Sequence, residues 1–237
     1  MNGLWMVELH PKWDAWFRWG KQQGLIHAAH PDLGYLAHAW MQALFGDLAP
    51  KPFRLWADRK RAPRILGYTR ADAEALLSHA RQFAEPAAWN ALQAGQVQTK
   101  PMPRSWQQGM ILGFEVLVAA TRRKAKCGSE KDAFLMLVEE KGKGANVSRE
   151  EAYREWFLQR MPEGLRLLAW RIDGFRLVRC LRRTQGNIRR ARWIQIPEVL
   201  CRGAVQVERP EAIHRWLLRG MGRHCAFGYG MVLLRPA

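Results

Sequence analysis

The apolar positions follow two different periods along the chain. Leu4 to Leu9 is a short apolar run closed by Pro11 and predicts a strand. From Lys12 to Gln22, Trp13, Trp16, Phe17 and Trp19 return every three or four residues, which predicts a helix with an aromatic face. That face reads as a packing stripe, with base stacking by one ring as the alternative. His30-Pro31-Asp32 opens a second helix with Asp32 as its cap, and Leu33, Leu36, Trp40, Ala43 and Leu44 keep the helical period up to Gly46. Phe53 to Ala57 and Arg64 to Tyr68 predict two strands around a turn at Asp58 to Pro63, and Ala71 to Phe83 a helix. Gln96 to Met102 is a weaker strand. The order is β-α-β-β-α-β, the ferredoxin-like arrangement.

A second unit repeats this order. Met110 to Ala120 predicts a strand, and Ser129 to Glu140 and Ser148 to Arg160 two helices joined through Lys141-Gly-Lys-Gly144. Ser148 and Glu151 have the spacing of a capping box. Leu165 to Arg183 and Ile188 to Val199, the latter extending towards Val207, predict strands around Gln185-Gly186-Asn187. Pro210 to Leu218 predicts a helix with proline near its start, and Met231 to Leu234 a last strand. The expected fold is α+β, two tandem ferredoxin-like (RRM-like) domains over residues 1–100 and 105–237, joined at the proline-containing Lys100–Arg104 stretch.

Charge narrows the partner. The 237 residues carry 38 Lys and Arg against 21 Asp and Glu, a formal net charge of +17. Such an excess repels itself unless a polyanion neutralises it, so nucleic acid is the leading partner class. No apolar run approaches the roughly 18 residues of a membrane span, and the first residues lack the pattern of a signal peptide, so no membrane association is expected. Cys127, Cys180, Cys201 and Cys225 form no C-x-x-C pair, which points to reduced thiols in a cytoplasmic protein rather than a zinc or redox site. His27 and His30 have no supporting carboxylate or thiol cluster, so neither a metal nor another cofactor is expected. His10, His79 and His214 read as incidental.

The cations are clustered. Arg166, Arg171, Arg176, Arg179, Arg182, Arg183, Arg189, Arg190 and Arg192 fall on the predicted hairpin. Strand alternation puts Arg176 and Arg182 on one face and Arg179 and Arg183 on the other, which suits an arm in a nucleic-acid groove; a charged, solvated edge hairpin is the alternative. Arg122, Arg123, Lys124 and Lys126, with Arg149, Arg154 and Arg160, form a second patch, and Arg59, Lys60, Arg61 and Arg64 a third. Arginine forks suit the shape and phosphate recognition typical of duplex RNA.

Two segments carry candidate chemistry. Gly220, Gly222, Gly228 and Gly230 punctuate Gly220-Met-Gly-Arg-His-Cys-Ala-Phe-Gly-Tyr-Gly230, with Arg219, Arg223 and His224 beside them. Successive backbone N–H groups in such a loop can hold phosphate oxygens, although a tight turn against a sheet would use glycine equally well. Tyr35 and His38 lie three apart and share a helix face. An imidazole with an ordinary pKa of about 6.5 can take or give a proton near neutrality; the alternative is a partly buried structural histidine.

The glycine pattern near the C-terminus resembles that of the CRISPR repeat-processing endoribonucleases, most closely CasE of type I-E systems, with the type IV processing enzymes near it. The start Leu4-Trp-Met-Val-Glu-Leu-His10, the Tyr35-Leu-Ala-His38 helix and the Lys100-Pro-Met-Pro-Arg-Ser-Trp-Gln-Gln-Gly109 junction are similar to the family's corresponding segments. The resemblance implies a metal-independent endoribonuclease that binds the stem-loop of a CRISPR repeat in precursor crRNA and cuts it once near the stem base. His38 would be the general acid or base and Tyr35 its assistant. The arginine patches and the glycine loop would hold the RNA. It also implies a subunit of a multi-protein CRISPR effector complex, with a crRNA-holding subunit of little catalysis as the alternative. Many relatives carry a loop lysine where Cys225 sits here, which leaves Arg223 and His224 as candidates for that contact.

Overall fold

The computed structural model describes residues 3–26, 31–57, 62–123, 129–142, 146–183 and 191–237, with the backbone alone for 182, 183, 191 and 192. The turn expected around Asp58, the Gln185-Gly186-Asn187 turn, His27, His30, Lys124, Lys126, Cys127, Arg189 and Arg190 lie outside the described residues.

The chain forms two compact units. The first runs from Met1 to Arg104 and takes in Leu217–Arg219 and Cys225–Met231; the second holds Ser105–Trp216, Gly220–His224 and Val232–Ala237. The glycine-rich segment is therefore divided between them.

In the first unit, β1 (Trp5–Leu9), α1 (Trp13–Gln22), α2 (Leu33–Phe45), β2 (Phe53–Trp56), β3 (Arg64–Thr69), α3 (Ala73–Phe83), α4 (Pro86–Asn90) and β4 (Gln98–Pro101) follow in order. The antiparallel sheet has the order β2-β3-β1-β4, the ferredoxin-like order. Trp16 and Trp19 are buried, and the Trp16 ring lies 5.9 Å from that of Trp40. The tryptophan stripe of α1 is thus core, which removes the base-stacking alternative for those two rings. Burying an aromatic side chain contributes on the order of 3 kcal/mol. Trp40 also donates its Nε1 proton to the Ala88 carbonyl at 3.1 Å and ties α2 to α4. The sequence reading had no α4, a single turn started by Pro86 and too short to show a period.

The second unit contains β5 (Ile111–Ala119), β6 (Thr121–Arg123), β7 (Glu130–Asp132), α5 (Ala133–Lys141), α6 (Arg149–Leu158), β8 (Leu165–Arg183), β9 (Ala191–Val207), α7 (Pro210–Arg219) and β10 (Val232–Pro236). Its main sheet has the order β10-β5-β9-β8, again ferredoxin-like. One face is buried: Phe114 of β5 stacks on Phe157 of α6 at 5.4 Å and meets Trp216 of α7 at 5.5 Å. The Ser148–Glu151 capping box is present, each side chain bonding the other's backbone N–H at 3.1 Å.

One element differs from expectation. The helix expected from Ser129 starts at Ala133, because Glu130–Asp132 pair with Thr121–Arg123 as a small hairpin. Asp132 ends that strand and caps the helix, accepting from the Phe134 N–H at 2.9 Å. It also accepts from the Tyr153 hydroxyl at 3.0 and 3.1 Å and from Arg149 at 3.1 Å, so its buried carboxylate is fully engaged.

Candidate active site

The first unit places Tyr35 and His38 on one face of α2. Asp32 caps that helix, accepting from the Tyr35 N–H at 2.9 Å, and so fixes the turn that carries the tyrosine. Leu36, Ala37, Trp40, Met41, Leu44 and Phe45 are buried on the opposite side, and this anchors the helix in rotation. Tyr35 and His38 remain half-buried.

The second half of the glycine-rich segment seats against this pair. Cys225–Phe227 form a 3-10 turn. The Phe227 ring stacks on Tyr35 at 5.8 Å and 12° and meets the His38 imidazole edge-on at 5.1 Å and 74°. The approach is close enough that a Cβ on Gly34 would sit 2.3 Å from the Phe227 carbonyl oxygen, so glycine is required at that helix position. Gly228 leaves the turn at φ +90°, where a Cβ would stand 3.6 Å from the Phe53 ring of β2. Gly230 is also at positive φ, +74°. Helix, strand and glycine turn therefore meet at His38. Cys225 is buried there, and burial pushes its thiol up to about 11, partly opposed by the Lys51 ammonium nearby. A neutral thiol supplies neither charge nor a ready nucleophile at neutral pH.

The first half of the segment belongs to the second unit and is held differently. Gly220 and Gly222 take φ of +69° and +77°, and a Cβ on Gly222 would strike the Trp156 ring at 2.7 Å. His224 holds φ +64° as a non-glycine residue. Its Nε2 bonds Glu130, which also accepts from Arg223 at 2.9 Å. Burial alone would raise the Glu130 carboxyl, but the His224 hydrogen bond and the charges of His224 and Arg223 bring it down to about 2. The Arg160 guanidinium covers the Trp156 ring at 4.5 Å; burial and the nearby charges of Arg122 and Arg223 lower its pKa. Arg122, Arg160 and Arg223 thus form one cluster, offset by Glu130 and by Glu140, which pairs with Arg122 at 2.8 Å.

The other arginines singled out in the sequence have different settings. Arg149 lies over the Phe134 and Phe175 rings at 4.4 and 4.8 Å and bonds Asp132, so it braces α5 and α6 against β8. Arg154 and Arg219 are exposed. Arg176 pairs with Glu198, and Arg179 covers the Trp193 ring at 5.7 Å. The register puts Arg182 opposite Arg192 on the face that carries Arg176. Sequence reasoning missed Gly34, Phe227 and Glu130. The only signal for Glu130 was an acid close to a basic run, and a lone aromatic between glycines does not say which helix it meets. Among the described residues no three His, Cys, Asp or Glu side chains gather as a metal site needs, and no helix is long and apolar enough to cross a membrane.

Comparisons with known proteins agree along the whole chain. It matches CRISPR endoribonuclease Cse3 bound to 19 nt RNA at 20% identity and TM-score 0.66, over 99% of this chain and 100% of that one. Thermus thermophilus Cse3 bound to an RNA representing a pre-cleavage complex matches at 20% identity and TM-score 0.62, over 99% and 100%. A chain of a CRISPR RNA-guided surveillance complex matches at 17% and 0.59, over 98% and 100%. No curated protein sequence matches. The family described as CRISPR associated protein matches residues 5–236, and the chain belongs to that family.

Proposed function

We propose that the chain is a metal-independent endoribonuclease that recognises the repeat stem-loop of precursor crRNA, cuts it once near the stem base and stays on the product. The observation that carries this reading is the packing of the glycine turn, through Phe227, against Tyr35 and His38 on one face of α2. The fold likeness to RNA-bound Cse3 and the net charge of +17 support RNA as substrate.

The chemistry needs little from the protein beyond position, proton transfer and charge. The 2′-oxygen upstream of the cut attacks the adjacent phosphorus as its proton leaves to a base. The bond from phosphorus to the 5′-oxygen breaks, and that oxygen takes a proton. The products are a 2′,3′-cyclic phosphate and a 5′-hydroxyl. His38 takes the first proton or gives the second, and Tyr35 donates its phenolic hydrogen bond to the phosphate. The nucleophile belongs to the substrate, so the reaction proceeds without a metal-activated water. The exposed arginines and the loop around Gly220 and Gly222 hold the stem by its phosphates. The protein then serves in the cytoplasm as a subunit of a CRISPR effector complex.

The likeness to a surveillance-complex chain favours a second reading, a crRNA-holding subunit with little catalysis. One experiment separates the two: cleavage and binding of the cognate repeat RNA in EDTA, wild type against His38→Ala. A single cut by wild type, and binding without cutting by the variant, supports the enzyme. If the variant still cuts, His38 is not the catalytic group and His224 is next to be tested. Tight binding without cutting by both proteins supports the holding subunit.

A further inference from the structure

The sheet face of the second unit turned away from α6 and α7 carries two cations, Arg202 and Arg235, that no role above uses, beside arginines of β8. Its residues follow from the register. On β9, Glu198, Leu200, Arg202, Ala204 and Gln206 share that face, and on β5 their partners are Ala119, Leu117, Glu115, Gly113 and Ile111. Plain alternation along β8 would put Arg166, Arg171 and Arg176, five residues apart, on alternating faces. Two register shifts, between Leu167 and Ala169 and between Ile172 and Gly174, each add one residue to β8 and reverse that alternation. Arg166, Arg171 and Arg176 therefore all reach the same face, opposite Gln206, Arg202 and Glu198. From β10, Arg235 joins them opposite Gly113.

Between these side chains is a hollow of about 250 Å³ bordered by Arg171, Arg202 and Arg235, with Ala169 and Gly203 among its small lining residues. Its walls are built. Arg202 bonds Glu115 at 2.7 Å and also pairs with Asp173, which Arg171 meets at 3.2 Å, so the acids hold two guanidiniums at its rim. The stem of Arg235 lies across Gly113, where a Cβ would stand 3.0 Å from its Cγ and Nε. Arg235 is exposed and forms no ion pair among the described residues.

We infer that this open face of the second unit, centred on the hollow between Arg171, Arg202 and Arg235, binds RNA phosphates at a site of its own. The ligand class follows from what the face offers. On this face the β8 positions Arg166, Ala169, Arg171, Gly174 and Arg176 and their partners include no aromatic residue, and Trp170, which also lines the hollow, turns its ring to Phe157 of α6 at 6.1 Å, so bases have no stacking platform on the open face. These positions offer arginine forks, one of them without a carboxylate, around a hollow with room for a phosphate group. The contact is to the backbone and is independent of sequence. The choice of RNA over an acidic protein rests on the proposed function; the phosphate could come from a single-stranded flank of the repeat or from its stem.

The test compares wild type with an Arg171→Gln/Arg235→Gln double variant, and with Arg235→Glu alone in case the double variant unfolds. Each is titrated with an oligouridylate and with the bare stem-loop at several salt concentrations. In the double variant, loss of two phosphate contacts should weaken binding about tenfold and lower the salt slope on oligouridylate by about 1.4. A loss confined to oligouridylate supports the site with a flank as source. A loss on the stem-loop supports it with the stem as source. No loss on either overturns it, as does polyglutamate competing as well as oligouridylate. If wild type fails to cut the repeat but the variants still lose oligouridylate binding, the catalytic proposal falls and this site stands.

Discussion

In the first unit the candidate catalytic side chains stand on a helix; in the second the described cations stand mostly on strands. Both units use the same strand order. Helix α2 is locked by a cap, a buried apolar side and an indole bond to Ala88, and it presents two polar rings to a turn packed tightly on Gly34. Strands β8 and β9 extend over 19 and 17 residues and set arginines at intervals along an open surface. The difference matches two physical demands. Proton transfer depends on placement to a fraction of an ångström, which a packed helix provides. Phosphate binding depends on charge and reach, which flexible arginines on a strand provide.

The comparison can be broken most directly at His38. His38→Ala should slow single-turnover cleavage of repeat RNA in EDTA by about 10²–10⁴-fold, with the dissociation constant nearly unchanged; a parallel loss of binding would make the helix face a binding surface. Gly34→Val should come next. Its Cβ would meet the Phe227 carbonyl at 2.3 Å and push the turn away. A displacement near 1 Å costs about 10²-fold in rate, so rates near wild type would show that the turn is irrelevant to the chemistry. Tyr35→Phe keeps the ring that stacks on Phe227 and loses only the hydroxyl, so a decrease of about tenfold is expected. An equal rate would assign Tyr35 to packing.

Glu130 sharpens the contrast at the level of stability. Its carboxyl is lowered from an ordinary 4.5 to about 2. A lowered acid contributes stability above its unfolded value and loses it as pH falls through the folded one. Wild type should exceed Glu130→Gln in thermal midpoint at pH 7, and the gap should close as pH falls from about 4.5 towards 2. A gap independent of pH would mean that the His224–Arg223 contact is not held by that charge.

Much of this was legible in the chain because it is local. The Asp32 cap, the Ser148–Glu151 box, the two long arginine strands and the Tyr35–His38 spacing each follow from residues a few positions apart. The missed parts depend on distant neighbours. Glu130 and Arg223 are 93 positions apart, and their meeting leaves no periodic trace. The start of α5 was misplaced because Lys131 and Asp132 suit a helix start as well as a strand; cross-strand pairing with Thr121 and Arg122 decides between them. The bulges of β8 are likewise invisible, since β8 does not advertise where a residue is left unpaired.

The division of the glycine segment has a consequence for biogenesis. Residues 225–231 belong to the first unit, whose other main part ends at Arg104. The surface around His38 therefore waits for a segment made after nearly all of the second unit has been synthesised. A nascent chain that has released only its first hundred or so residues holds the α2 helix without the Phe227 turn. Long-range closure of this kind is slow to form in folding. Completion of the face around His38 is thereby tied to synthesis of most of the second unit's sheet, so that an unfinished chain lacks the finished face at His38.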